Sequence, residues 1–136
     1  MHLPANGLAL LHHVHADDVA HLYERALRQR ERAVGETFSA VAPHAMSMRG
    51  CATFVAGLFG REPVLEYASL EALRGSTSAA NFAKIASHVA HSPCVSMAKA
   101  AHRLGYQPRS TTEQIYLETI EWLLQTGQLT AEGLPA

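Results

Sequence analysis

The stretch that most constrains what this chain can fold into runs from Leu10 to Leu27, LLHHVHADDVAHLYERAL. An apolar segment gives way to a cluster of histidines and a pair of aspartates, and these to a helical pattern. Side chains alternate along a strand, so His13 and His15 share one face while the segment stays extended. Val19, Leu22, Tyr23 and Ala26 then recur at the spacing of one buried helix face. Asp17 or Asp18 stands where a carboxylate accepts the free amide hydrogens of a first helical turn. The stretch reads as a strand turning directly into a helix. Its polar cluster leaves three uses open: a metal site, a substrate-facing strand end, or a capped structural element.

The remaining pattern extends this α/β beginning. Leu8–Ala16 is the first predicted strand and Glu36–Ala42 the second, broken by Pro43 and His44. Ser47 caps a helix that carries Met48, Cys51, Val55, Leu58 and Phe59 at helical spacing, with Gly60 as its stop. Pro63–Ser69 is a third strand. From Leu70 to Ala90 the pattern is helical, interrupted at Gly75-Ser76-Thr77-Ser78; the second half carries Phe82, Ile85 and Val89, and Ser92-Pro93 ends it. Ser96 opens a small helix through Leu104, stopped by Gly105 and Tyr106, and Pro108 prevents continuation. Thr111 and Gln114 form a capping box for a last helix reaching about Gln125, with Gly127 beyond it. The predicted order is strand–helix–strand–helix–strand–helix–helix–helix, with helices covering a small sheet. One domain is expected over residues 1–129 and a loose tail over 130–136.

Composition removes several classes of function. With 48% hydrophobic and 17% charged residues the chain is a folding sequence, not a disordered one. Net charge is −1, and the clustered arginines Arg25, Arg28, Arg30 and Arg32 suit the negative end of a helix dipole, so no nucleic-acid partner is expected. No apolar run is long enough to span a bilayer, so no membrane partner is expected either. Cys51 and Cys94 form no disulfide framework, and Cys51 lies on an apolar stripe as a small hydrophobe. Nothing at the N-terminus reads as a secretion signal, which makes a cytoplasmic protein with reduced thiols the expectation. Of the nine histidines, His2, His21, His44 and His102 stand singly and read as hydrogen-bonding groups.

The run His13-Val14-His15-Ala16-Asp17-Asp18 offers imidazole and oxygen ligands of the sort zinc takes. It resembles the H-x-H-x-D-H ligand run of metallo-β-lactamase-type hydrolases, with Asp18 standing where that motif has its third histidine. Asp17 and Asp18 are equally explained as helix-capping groups. A metal-dependent hydrolase is therefore one alternative reading. A nucleophilic hydrolase lacks its G-x-S-x-G elbow, and neither cysteine adjoins a histidine at a helix start. There is no G-x-G-x-x-G, and Gly57 and Gly60 fall at a helix end where phosphates meet the wrong dipole sign. None of Tyr23, Tyr67, Tyr106 and Tyr116 has a lysine four positions on; Leu27, Glu71, Ser110 and Ile120 stand there. By its own residues the chain carries no complete catalytic apparatus.

Three segments, in order, are similar to a known family. VHADDVAHLYERAL (14–27) resembles the V-H-V-D-D-V-A segment of the extended short-chain dehydrogenases, the NAD-dependent epimerase/dehydratase family. GETFSAVA (35–42), then a helix ending GREPVLEYASLEALR (60–74), resembles the family's G-E-x-F-N-V strand and the strand after it. SMAKAAHRLGYQPRSTTEQIYLETIEWL (96–123) is similar to its S-K-A-x-x-x-L-G-Y-x-P ending, so the resemblance covers roughly residues 7 to 125. It implies an α/β fold: the C-terminal substrate-binding lobe of such an enzyme plus the last strand of its Rossmann sheet, without the glycine-rich NAD-binding half.

The resemblance implies NAD or NADP as cofactor of the intact enzyme and none for this chain alone. The serine, tyrosine and lysine that move proton and hydride would also lie in the missing half, so the resemblance assigns no catalytic or cofactor-binding residue here. It places the Gly35–Ala42 strand at the edge of the dinucleotide-binding sheet and the remaining helices over a small-molecule substrate. Members that bind nucleotide sugars carry arginines about where Leu11 and His91-Ser92-Pro93-Cys94 stand, so a nucleotide sugar is not the expected substrate. His13, His88 and His91 become the candidate substrate contacts; His15, Asp17 and Asp18 form the structural motif at the strand end. The implied partner is the missing Rossmann half, or a partner chain supplying it. A binding or assembly module completing such a chain is the other alternative, because an apolar face left without its sheet favours pairing with a partner or, as a homo-oligomer, with a second copy.

Overall fold

A computed structural model describes residues 2–130, so the tail expected over 130–136 lies, from residue 131, outside the described residues. The chain is mixed α/β and divides into two units. The first comprises Met1–Leu11, Met46–Pro93 and Leu123–Ala136; the second comprises His12–Ala45 and Cys94–Trp122. The described strands are β1 (His2–Pro4), β2 (Leu10–Leu11), β3 (Met46–Ser47) and β4 (Glu66–Ala68). The helices are α1 (Ala16–Arg28), α2 (Arg30–Ala33), α3 (Met48–Leu58), α4 (Leu70–Arg74), α5 (Ala79–His91), α6 (Ala98–Leu104) and α7 (Thr112–Gln125).

Two short ladders organise the first unit. β1 runs parallel to β4, setting buried Leu3 opposite Tyr67, while β2 runs antiparallel to β3. The 3₁₀ turn Ala5–Gly7 follows β1 and packs near the start of α3. Gly7 has φ +67°, and a Cβ there would lie 2.9 Å from Leu3 Cδ1 and 3.0 Å from Arg49 Cβ, so both the turn and the close approach require glycine. Ser47 Oγ accepts from Gly50 N–H at 3.0 Å and caps α3, as its sequence predicts. At the other end Arg61 N–H reaches Ala56 O and Gly60 N–H reaches Gly57 O, a Schellman closure. Ser69 and Ser78 cap α4 and α5 on either side of the Gly75–Ser78 interruption.

The second unit is built around α1, α2 and α6, with α7 entering from Thr112 and passing into the first unit after Trp122. Its apolar core is Val41, Ala42, Ala100, Leu104 and Tyr106. Arg25 Nε–H and the Gln29 side-chain amide both donate to Leu104 O, at 2.7 and 2.6 Å, which ties α1 to the end of α6. Gly105 ends α6 at φ +62°, and a Cβ there would meet the Arg25 guanidinium at 2.7 Å. The predicted capping box forms: Gln114 N–H donates to Thr111 Oγ1 and Thr111 N–H to Gln114 Oε1.

The predicted strands are longer than the observed ones. Of Leu8–Ala16 only Leu10 and Leu11 enter a ladder, and of Pro63–Ser69 only Glu66–Ala68. Glu36–Ala42 forms no ladder among the described residues, and Ala42 N–H alone of that segment reaches across, to His13 O at 2.7 Å. A β pattern specifies side-chain alternation, but a strand exists only where a neighbouring backbone takes its hydrogen bonds. β1 was missed for the converse reason: three residues at the start of the chain become a strand because Glu66–Ala68 lies alongside.

Candidate functional site

The strand-to-helix junction resolves into a tie between helices. The helix starts at Ala16 on His15 itself, whose Nδ1 accepts from Asp17 N–H at 3.1 Å. With Nδ1 accepting, the proton sits on Nε2, which donates to Glu118 Oε2 of α7 at 2.7 Å. Neither aspartate is the cap. Asp17 is exposed in the first turn, where its charge complements the dipole. Asp18 is buried, and its two carboxylate oxygens accept from Arg109 N–H at 2.7 Å and Ser110 N–H at 3.1 Å, just ahead of α7. The capping expectation failed because the ring nitrogen of His15 reaches the first-turn amide, which leaves Asp18 free to satisfy a loop far along the chain.

His12 works in the same way. Its Nε2–H donates to Ala42 O at 2.9 Å, and its Nδ1 accepts from Val95 N–H at 3.0 Å, so one ring joins two connecting segments. His13 points the other way. It is exposed and lies edge-on to Tyr116, ring centroids 5.4 Å apart. The H-x-H-x-D-D run thus does not converge as a ligand set: both His15 nitrogens and both Asp18 oxygens have protein partners. Among the described residues no three of His, Cys, Asp and Glu come together as a metal-holding group.

His88 and His91 meet in one place, and His13 belongs to the other unit. The two rings line an open hollow of about 590 Å³ together with Lys84, Ser87, Ala83 and Pro93. α5 positions them, because residues 84, 88 and 91 are four and three apart and so share one helix face. His91 Nδ1–H donates to Ser87 O at 2.7 Å, which orients the ring. His88 Nε2 is buried without a hydrogen-bond partner among the described residues. Sequence reading missed Lys84; its spacing from the two histidines was the available signal.

A second hollow, of about 290 Å³, lies along α1. Its walls are the apolar stripe Val19, Leu22, Tyr23 and Ala26 on one side and Glu36, Phe38 and Ala40 on the other. Tyr23 is 69% exposed, and Leu27 and Val34 nearby are still more open or nearly so, at 77% and 68%. Glu36 accepts from Lys99 Nζ at 2.7 Å and from Arg103, and these cations, Lys99 first, hold its carboxyl below the usual carboxylate range. Lys99 also sits over the Phe38 ring, 5.1 Å from its centroid. Tyr106 is fully buried; burial, and then the charge of Asp18, push its phenol above the ordinary value. No protein-family model, no curated protein and no solved structure matches the chain.

Proposed function

We propose that this chain is the C-terminal, substrate-binding portion of an NAD(P)-dependent epimerase, dehydratase or reductase of the extended short-chain dehydrogenase type. Its dinucleotide-binding half is supplied by another stretch of polypeptide. The observation that carries this reading is the segment between α2 and β3. Its sequence is that of a strand and Val41 and Ala42 are buried, yet the amides of residues 37–41 have no backbone partner among the described residues. The apolar stripe of α1, with Tyr23 largely exposed, lines the same hollow as Phe38 and Ala40. An unladdered strand sequence beside an uncovered apolar helix face is what a sheet margin presents when its neighbour is elsewhere.

Bound in the other half, NAD(P) would supply the redox chemistry, and a tyrosine acidified by a lysine would move the proton. The contribution of this chain is to bind and enclose the substrate, with the hollow at His88 and His91 as the contact surface. The test is co-expression with the polypeptide encoded immediately upstream. The expected upstream sequence carries a glycine-rich turn and Y-x-x-x-K, and the expected complex turns over with NAD(P) while this chain alone does not. NAD(P)H-dependent turnover by the purified chain, or an upstream frame without those motifs and no Rossmann partner recovered, would overturn the reading. An assembly module differs in one readout: it binds the partner but leaves the partner's affinity for substrate unchanged.

A further inference from the structure

We infer that the hollow on the last turns of α5 is a binding site for a small organic carboxylate, with Lys84 as its charge anchor. The inference deepens the reading above and rests on it only in calling that ligand a substrate. Lys84, His88 and His91 line the hollow, no acidic residue does, and Ala83 and Pro93 supply apolar wall. Lys84 has no ion pair or hydrogen bond among the described residues, whereas Arg74, Lys99 and Arg103 each hold a glutamate. His88 Nε2 is buried and unpartnered among the described residues, out of reach of a ligand in the open hollow, so His88 serves as wall of the site while Lys84 and His91 supply its polar contacts.

The end of a helix ordinarily repels an anion through its free carbonyls. Here the first of those carbonyls is already occupied: His88 O accepts from Ser92 N–H at 2.8 Å, and one residue further in the His91 ring folds back so that Nδ1–H donates to Ser87 O at 2.7 Å. Ser92, in the left-handed conformation at φ 39°, turns the chain away just past them, and its Oγ is held by Leu10 N–H at 2.9 Å. One full positive charge beside apolar wall matches a single carboxylate on a hydrocarbon body better than a dianionic phosphate. His91 carries its proton on Nδ1, so Nε2 of the neutral ring is an acceptor, suited to a hydroxyl on the same ligand.

The experiment titrates the full chain with butyrate, butyramide and inorganic phosphate while the imidazole resonances of His88 and His91 are followed by NMR. Butyrate should shift both rings saturably, and butyramide should not. Lys84→Met should weaken butyrate binding at least about tenfold, the loss of a charge-assisted contact. Lys84 is exposed on its helix, and Lys84→Gln gives the same test should the methionine variant fold poorly. Equal binding of butyramide, unchanged affinity in both Lys84 variants, absence of saturable shifts, or displacement of butyrate by equimolar phosphate would each overturn the assignment. Carboxylate binding without any NAD(P)-linked partner would leave this site standing and remove the dehydrogenase reading. A confirmed dehydrogenase partner with a hollow indifferent to charge would do the reverse.

Discussion

In the second unit, polar side chains reach backbone groups far along the chain: Asp18 to the amides of Arg109 and Ser110, Arg25 and Gln29 to Leu104 O, His12 to Ala42 O and Val95 N–H. Those ties close over a core that includes Leu104 and Tyr106, both without exposed surface. The first unit also has helices with apolar stripes, α3 and α5, and buries less. No residue of α3 or α5 is fully buried, and among the described residues the unit's buried apolar side chains are Leu3, Pro4 and Ala9. The difference separates two properties that a hydrophobic pattern runs together. Periodicity decides which face of a helix is apolar; only a covering layer decides whether that face leaves water.

The sharpest way to break this comparison is to cut equal-looking apolar side chains in both units. Leu104→Ala should cost about 3 kcal/mol in urea unfolding, and Leu58→Ala on half-buried α3 about 1.5 kcal/mol. Equal losses would mean α3 is covered more fully than its exposure indicates. Asp18→Ala comes next, at about 2 to 3 kcal/mol, because two loop amides lose a charged acceptor inside the unit. If the variant unfolds like the parent, the loop ahead of α7 does not depend on that carboxylate.

Tyr106→Phe should act in the opposite direction. Its buried hydroxyl has no hydrogen-bond partner among the described residues, so removing it should leave stability unchanged or raise it by up to about 1 kcal/mol. A clear loss on thermal unfolding would reveal a partner for that oxygen. The smallest effect is expected at Glu36, whose carboxyl is held low mainly by hydrogen bonding from Lys99 and then from Arg103. A carboxyl whose folded pKa is depressed stabilises above its unfolded value, about 4.3, and the contribution fades as pH falls through the folded value. Glu36→Gln should therefore flatten the acid limb of stability below about pH 4 and change little at neutral pH, since the pairs are exposed and screened. An unchanged acid limb would leave the Glu36 ion pairs without a stabilising role.

What was legible in the sequence is what depends on residues a few positions apart. Ser47 as the start of α3, Gly60 and Gly105 as stops, the Thr111–Gln114 box and the break at Gly75–Ser78 all stand where expected, because the helix's own geometry brings those groups together. The shared face of Lys84, His88 and His91 was readable by the same rule, though only the histidines were picked out. The aspartate pair shows where local reading stops. From sequence either residue can cap α1, and the choice of His15 instead follows from Glu118 fixing the ring and Arg109–Ser110 taking Asp18.

The sequence by itself therefore determined most of the helices, several of their caps and their apolar faces, through contacts that rotation about a single axis enforces. Only the tertiary structure decided which β-patterned segments become strands, which histidine ring nitrogens are occupied, and which apolar faces stay open. Each of these needs a partner from a distant part of the chain: Glu66–Ala68 for His2–Pro4, Val95 and Ala42 for His12, and no described neighbour for the amides of residues 37–41. Hydrogen bonds and burial are properties of pairs, and the linear pattern names only one member of each.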